Sequence, residues 1–241
     1  PPTATPQPLA PAEPEQAASL TAEGQRLFLQ SDLTGAEAAF IDAIAADPSD
    51  VPAYLGLTKV YLYWPQYGQQ ALTTAQAAAA LAPEDSTVLR YLAWAQQDVH
   101  HFDDAWQTAL QAVELGPDNA LAHTAAADIL SSVYQMDDAY DHAQTAVALD
   151  SGLAEAWATL GSLAYSLAYW DEASDAYAQA ATVEPDFFAW QLLVARNELN
   201  LTGDGETARE LAAGAFQSQP DHPWLISFEV DLAAERNDWQ S

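Results

Sequence analysis

The sequence predicts an all-α solenoid of about six helix-turn-helix units, closed by a C-terminal helix. Three observations carry that expectation. Pro48, Pro83, Pro117, Pro185 and Pro220 fall on a period of 34 or 35 residues, with Ser151 at the one vacant position. Ala36, Ala71, Ala105, Ala139, Ala173 and Ala208 recur in register, and Ala43, Ala78, Ala112, Ala146, Ala180 and Ala215 follow each of them by seven residues. Apolar residues make up 50% of the 241, enough for a continuous core, while glycine is scarce at 10 residues. A fixed period of this size marks repeat architectures, in which each unit buries its apolar face only against its neighbours.

Taken in order, residues 1–16 are rich in Pro, Thr, Ala and Gln and hold too little apolar surface to offset ordering. They read as an extended, polyproline-like tether. Such stalks often separate an anchor or cleaved signal from a folded domain, so an extracytoplasmic, membrane-tethered bacterial protein is expected. Six units follow at 17–50, 51–85, 86–119, 120–153, 154–187 and 188–222. The fifth shows their plan. Residues 154–167 form a helix, 168–171 a turn and 172–183 a second helix, stopped by Pro185. Trp157, Leu160 and Ala164 on the first helix, and Ala173, Tyr177 and Ala180 on the second, return at helical spacing. The recurrent alanines let two helix backbones approach where a larger side chain would hold them apart. Units 2 and 6 each carry one extra residue, around 65–69 and 202–207, where the turns should be distorted. Residues 223–238 read as one more helix. Within 223–241 it is either a cap or the start of a truncated seventh repeat, with Trp239 at the position of Phe102 and Trp170.

Composition also limits function. Six basic residues against 35 acidic ones give a formal charge of −29. Such a surface repels nucleic-acid phosphates and anionic lipid headgroups, so neither is an expected partner. It suits basic proteins and cations, or serves as a solubilising coat in a saline habitat. The absence of Cys removes disulfides and thiolate chemistry. No run reaches the roughly 18 apolar residues that a membrane helix needs. No phosphate loop, dinucleotide fingerprint, nucleophile elbow or HExxH zinc motif occurs, so no enzyme, cofactor or metal is expected. His100 and His101 stand among Asp98, Asp103 and Asp104, but adjacent histidines at a helix end diverge, and an ordinary turn is expected there. His123 and His142 fall on the two helices of one unit and are expected to be hydrogen-bonded within the fold.

The repeat resembles that of the tetratricopeptide repeat (TPR) family. Trp157, Leu160, Gly161, Ala173, Tyr177, Ala180 and Pro185 carry the family pattern in unit 5, and Gly24, Ala36, Phe40, Ala43 and Pro48 carry it in unit 1. The resemblance covers more than four-fifths of the chain. It implies a right-handed superhelix whose first helices line an inner groove, where peptides of partner proteins usually bind. At 100° per residue, Thr87, Arg90, Tyr91, Trp94, Gln97 and Asp98 share that face in unit 3. Lys59 and Tyr63 lie on it in unit 2, and Arg196 in unit 6. Lys59, Tyr63, Arg90, Tyr91, Trp94 and Arg196 are therefore the candidate ligand-binding residues: cations beside aromatics, suited to a carboxylate with apolar anchors. Family clamps use Lys, Arg and Asn for a C-terminal carboxylate, and this chain matches them only in part. Replacing Lys59 and Arg90 with Ala should weaken binding by about 1.5–3 kcal/mol per lost charged hydrogen bond and hardly change stability. The expected function is a non-enzymatic scaffold that holds a protein or peptide. The alternatives are an accessory domain of a larger membrane-anchored or catalytic protein, or a self-associating structural oligomer.

Overall fold

The computed structural model describes residues 12–235; the tether residues 1–11 and Trp239 lie outside them. Among the described residues every regular element is a helix. Helices α1 (Pro14–Leu29) and α2 (Leu33–Ala46) form unit 1, and α3 (Val51–Leu62) and α4 (Gly68–Leu81) form unit 2. Units 3, 4 and 5 are α5 (Ser86–Asp98) with α6 (Phe102–Leu115), α7 (Ala120–Ser132) with α8 (Met136–Leu149), and α9 (Ala154–Ser166) with α10 (Trp170–Val183). Unit 6 is α11 (Phe188–Thr202) followed by a broken second helix, α12 (Gly205–Leu211) and α13 (Ala213–Ser218). A final helix, α14 (Pro223–Glu235), buries Leu225, Phe228 and Leu232. The first helix begins at Pro14, three residues inside the stretch read from sequence as tether.

The local reasons are visible in the sequence. Asp50, Asp85 and Asn119 occupy one repeat position and cap α3, α5 and α7, each side chain accepting from backbone N–H groups of the first turn. Acid pairs open α6, α8 and α10 (Asp103-Asp104, Asp137-Asp138 and Asp171-Glu172), where the helix dipole favours negative charge. Much of the acidity thus sits where helix starts can use it. In units 1, 3, 4 and 5 the helices join through a turn whose second residue is left-handed: Ser31, His100, Tyr134 and Ala168, with φ of 61–64°; in unit 6 Gly203, directly after α11, takes that role. The next amide closes back on the helix, as in Asp32 N to Leu27 O at 2.9 Å and Tyr169 N to Ala164 O at 2.8 Å. The two turns with an extra residue differ as expected. Unit 2 inserts a short 3-10 turn, Pro65–Tyr67, and unit 6 caps α12 with Asp204.

Packing follows the alanine register. All twelve recurrent alanines are fully buried, at 0% exposure. They are the contact points at which helices cross closely, with larger groups on either side. Glycine does the same under aromatic rings. A Cβ on Gly161 would stand 2.8 Å from the Tyr177 ring, and one on Gly56 would fall inside the Phe40 ring's van der Waals envelope.

The ends of the solenoid meet. Phe28 and Tyr63, from units 1 and 2, pack on Phe187 at ring-centroid distances of 4.7 and 4.9 Å. Ser31 Oγ donates to Asp186 O at 2.9 Å and accepts from Phe188 N at 2.8 Å, and Gln219 donates to Ser31 O. His222 Nε2–H donates to Tyr63 O at 2.7 Å, while its Nδ1 accepts from Trp224 N at 3.2 Å. Units 1, 2, 5 and 6 therefore share one core cluster.

Candidate functional site

The inner face is formed by the first helices of the units, and one repeat position on it is occupied by Lys59, Trp94, Asp128, Ser162 and Arg196 in units 2 to 6. Contact between units 1, 2 and 6 divides this face into two cavities. The larger, about 630 Å³, lies between α5, α7, α9 and α11, with Tyr63 and Trp224 closing one end. The smaller, about 370 Å³, lies between α1, α3 and α5 and includes Phe28, Leu55, Thr87 and Leu121. The six residues picked from sequence split between them. Tyr63, Arg90, Trp94 and Arg196 line the larger cavity, and Lys59 and Tyr91 the smaller.

Lys59 is engaged by the fold. Its Nζ lies 2.8 Å from Glu155 Oε1 and 4.8 Å from the Phe28 ring centroid. Burial alone would lower the ammonium pKa, but the pull of Glu155, aided by Tyr91 and Glu184, holds it above its ordinary value. Glu155 is 4% exposed. Burial works against its charge too, yet Lys59 and Arg90 together keep its carboxyl below the usual range. The sequence expectation that Lys59 can be removed with little effect on stability therefore fails, because its loss would strand a buried carboxylate.

Arg90 is placed differently. It is 2% exposed, and its guanidinium carbon lies 4.5 Å from the Tyr91 ring centroid and 4.4 Å from that of Trp94. These stacking contacts hold the plane. They satisfy no N–H, and the buried Nε and Nη1 have no hydrogen-bond partner among the described residues. On α7, in the same cavity lining, Asp128 Oδ1 accepts from Thr159 Oγ1 at 3.2 Å. Burial pushes the Asp128 carboxyl up to about 6, although Arg90 and Thr159 act in the other direction. Arg196, at the far wall, reaches Asp231 at 3.2 Å and is half-buried beside Phe228.

Sequence reasoning took Asp128 only as a nearby acid that Lys59 and Arg90 offset, and it missed Glu155, Thr159, Trp190 and Trp224. Glu155 and Thr159 were within reach, since units 4 and 5 repeat the stripe drawn for unit 3. Asp128 stands at the position of Trp94, and Glu155 at that of Thr87. Trp190 and Trp224 enter the cavity only because unit 6 folds back against Tyr63, 5.9 Å from each indole. His100 lies at the cavity mouth, its ring 5.6 Å from that of Phe102. His123 and His142 do pair: Nδ1 to Nδ1 is 2.9 Å, and His123 Nε2–H donates to Pro117 O at 3.0 Å.

Paired helices in series around an inner face, with buried alanines at every crossing, define a TPR solenoid, and solved structures similar to this chain have that fold. TTC0263, a thermophilic TPR protein of Thermus thermophilus, is 20% identical with a TM-score of 0.64, over 76% of this chain and 99% of its own. A chain of the APC/C hetero-tetramer Cut9–Hcn1 is 19% identical with a TM-score of 0.63, over 92% of this chain and 43% of that one. Human IFIT1, solved as a dimer with m7Gppp-AAAA, is 15% identical with a TM-score of 0.65, over 85% and 51%. This chain spans about half or less of the last two. No protein-family model matches the sequence, and no curated protein does. Among the described residues no helix is long and apolar enough to cross a membrane.

Proposed function

We propose that the protein is a non-enzymatic interaction module whose inner face receives a segment of a partner protein. TPR solenoids serve widely as protein-interaction scaffolds, and the larger cavity supplies a place for one to act. The observation that carries the reading is that cavity: about 630 Å³ on the concave side, walled by Trp94, Trp190 and Trp224, with a buried arginine and an unpaired aspartate. Aromatic and arginine anchors in a concavity are what interface hot spots are made of. Fold alone does not choose the ligand. With a formal charge of −29, a phosphate-rich ligand such as the m7Gppp-AAAA of the IFIT1 structure suits this chain poorly, and a protein segment suits it better. The Pro/Thr-rich start agrees with an extracytoplasmic, tethered setting.

Peptide-display selection against the immobilised protein tests this. Ser162 is exposed on α9 and lines the cavity, so Ser162→Trp fills it while removing the 3.3 Å hydrogen bond that Ser162 Oγ accepts from Tyr177. Selected peptides should bind the wild type and lose at least about tenfold in affinity for Ser162→Trp, a difference of about 1.4 kcal/mol. An absence of enriched peptides, or equal binding to both proteins, sinks the reading.

A further inference from the structure

We propose that the larger cavity recognises a ligand with an ammonium or guanidinium and a carboxylate at opposite ends of a short apolar body. Arg90 takes the anionic end and Asp128 the cationic end. The inference rests on the inner face being the working surface, and it names what enters there.

Arg90, Arg196, Asp98, Asp128 and Glu155 line this cavity; Lys59 holds Glu155 and Asp231 holds Arg196, which leaves Arg90, Asp98 and Asp128 outside any ion pair among the described residues. None of the ion pairs among the described residues includes Arg90 or Asp128. Arg90 has two buried N–H groups without acceptors, and Asp128 accepts a single long hydrogen bond from Thr159. Buried polar groups in folded proteins are almost always satisfied, and buried charges are paired. Lys59 and Glu155 show that this chain can bring buried opposite charges together, in direct contact at 2.8 Å. Had Arg90 and Asp128 served only folding, the same solution was open to them. Both line the cavity and neither is in an ion pair, so they leave one donor set and one acceptor set for a third party. A carboxylate satisfies the guanidinium with charge-assisted bonds, and an ammonium satisfies Asp128.

The walls fit the body of such a ligand. Trp94, Trp190, Trp224 and Leu193 supply apolar faces, and about 630 Å³ lies inside the range of roughly 300–1,000 Å³ typical of small-ligand sites. The indoles also favour a cation near their faces. Two sources share this chemistry: a free amino acid or short peptide, and a Lys or Arg side chain near an Asp or Glu on a partner segment.

The test uses the full chain and three probes of equal length: 6-aminohexanoate, hexylamine and hexanoate, followed by tryptophan fluorescence. The expected result is saturable binding of 6-aminohexanoate at least about tenfold tighter than either singly charged probe. Asp128→Asn, nearly isosteric, should reduce 6-aminohexanoate to the level of hexanoate and leave hexanoate unchanged. Hexylamine binding as tightly as 6-aminohexanoate would overturn the role of Arg90, and hexanoate doing so would overturn that of Asp128. No saturation by 6-aminohexanoate rejects the proposal. Display-selected peptides with blocked termini separate the sources. Enriched base–acid pairs displaced by 6-aminohexanoate identify a partner segment, whereas 6-aminohexanoate binding without enriched peptides identifies a free small molecule. Peptides that lack the charge pair, yet are lost on Ser162→Trp, would reject the charge assignment and leave the inner face as the working surface.

Discussion

The two cavities of the inner face share a wall, and the cation on each side of it is treated differently. On one side Lys59 meets Glu155 at 2.8 Å, and the pair ties unit 2 to unit 5. On the other, Arg90 is more deeply buried, at 2% exposure against 18% for the Lys59 side chain, but rests on Tyr91 and Trp94 with two unsatisfied donors. The same contrast holds for the aromatic residues. Phe187 is fully buried among Phe28, Tyr63, Phe188 and Trp190, whereas Trp94 is half-buried and borders open volume. Buried charge that folding requires is matched within the chain. Unmatched charge beside a void marks the part of the face that folding did not complete.

The largest effect should come from breaking the matched pair. Glu155→Ala leaves the partly buried Lys59 ammonium without its partner, and should cost about 2–4 kcal/mol of unfolding free energy. Replacing both partners with apolar residues, as Lys59→Met with Glu155→Leu, should return stability to within about 1 kcal/mol of wild type, because no charge is then stranded. Arg90→Met should cost less than about 1.5 kcal/mol, since it removes unsatisfied donors along with a favourable field on Glu155. Urea titration of the three variants decides it. An Arg90→Met loss as large as that of Glu155→Ala would erase the distinction between the two sides.

Next comes the aromatic closure. Phe187→Ala empties a fully buried site and should cost about 3–4 kcal/mol, whereas Trp94→Ala should cost about half as much because its site already borders a void. Equal losses in thermal unfolding would mean that Trp94 belongs to the closure as much as Phe187 does.

This closure is where sequence reading stopped. The period, the unit boundaries and the twelve alanines follow from local spacing, and each alanine proved fully buried because helix crossings repeat with the sequence. His222 and Tyr63 are 159 residues apart, and Ser31 and Asp186 are 155 apart. No local signal links them, since their meeting depends on curvature summed over five units. Asp128 and Glu155 were legible in principle. A search for positive charge on an acidic chain took Asp128 only as an acid to be offset and passed over Glu155, which is unusual only because it is buried. The distortion of the two longer turns was foreseen, but the left-handed residues of the regular turns were not, because Ser, His, Tyr and Ala give no sign of positive φ.

A smaller, pH-dependent effect sharpens the contrast on the open side. Asp128 is held at about 6 in the folded chain, above its unfolded value of about 3.9. Between those values the folded state binds more protons than the unfolded state, so Asp128 costs stability progressively as pH rises from about 4 to 6, and fully above that. Asp128→Asn should therefore gain about 1–2 kcal/mol at pH 7.5 and nothing at pH 4. His142 and His222 act in the opposite sense. Burial lowers both, so their stabilisation is present above about 6.5 and lost as pH falls through their folded values. Both proteins share that loss, so the difference between their urea curves isolates Asp128. A gain that is the same at pH 4 and 7.5 would mean that Asp128 is not desolvated.

The smallest effect compares two turns with the same backbone. Ser31 and Ala168 both sit in the left-handed region, at φ 61° and 63°. A side chain there costs about 1–2 kcal/mol relative to the right-handed form, of which glycine recovers part after its own entropy loss of about 0.5–1 kcal/mol. Ala168 is exposed and its side chain has nothing to lose, so Ala168→Gly should stabilise by about 0.5–1 kcal/mol. Ser31 is buried, and its hydroxyl bridges Asp186 O and Phe188 N where units 1 and 6 meet. Ser31→Gly relieves the same backbone strain but removes both bonds, leaving a buried N–H unpaired at a cost of about 1–3 kcal/mol. Its net effect should be destabilising. If both glycine variants stabilise the chain alike, the contact between the first and last units contributes little in solution, and the two ends of the solenoid are not held together as the hydrogen bonds imply.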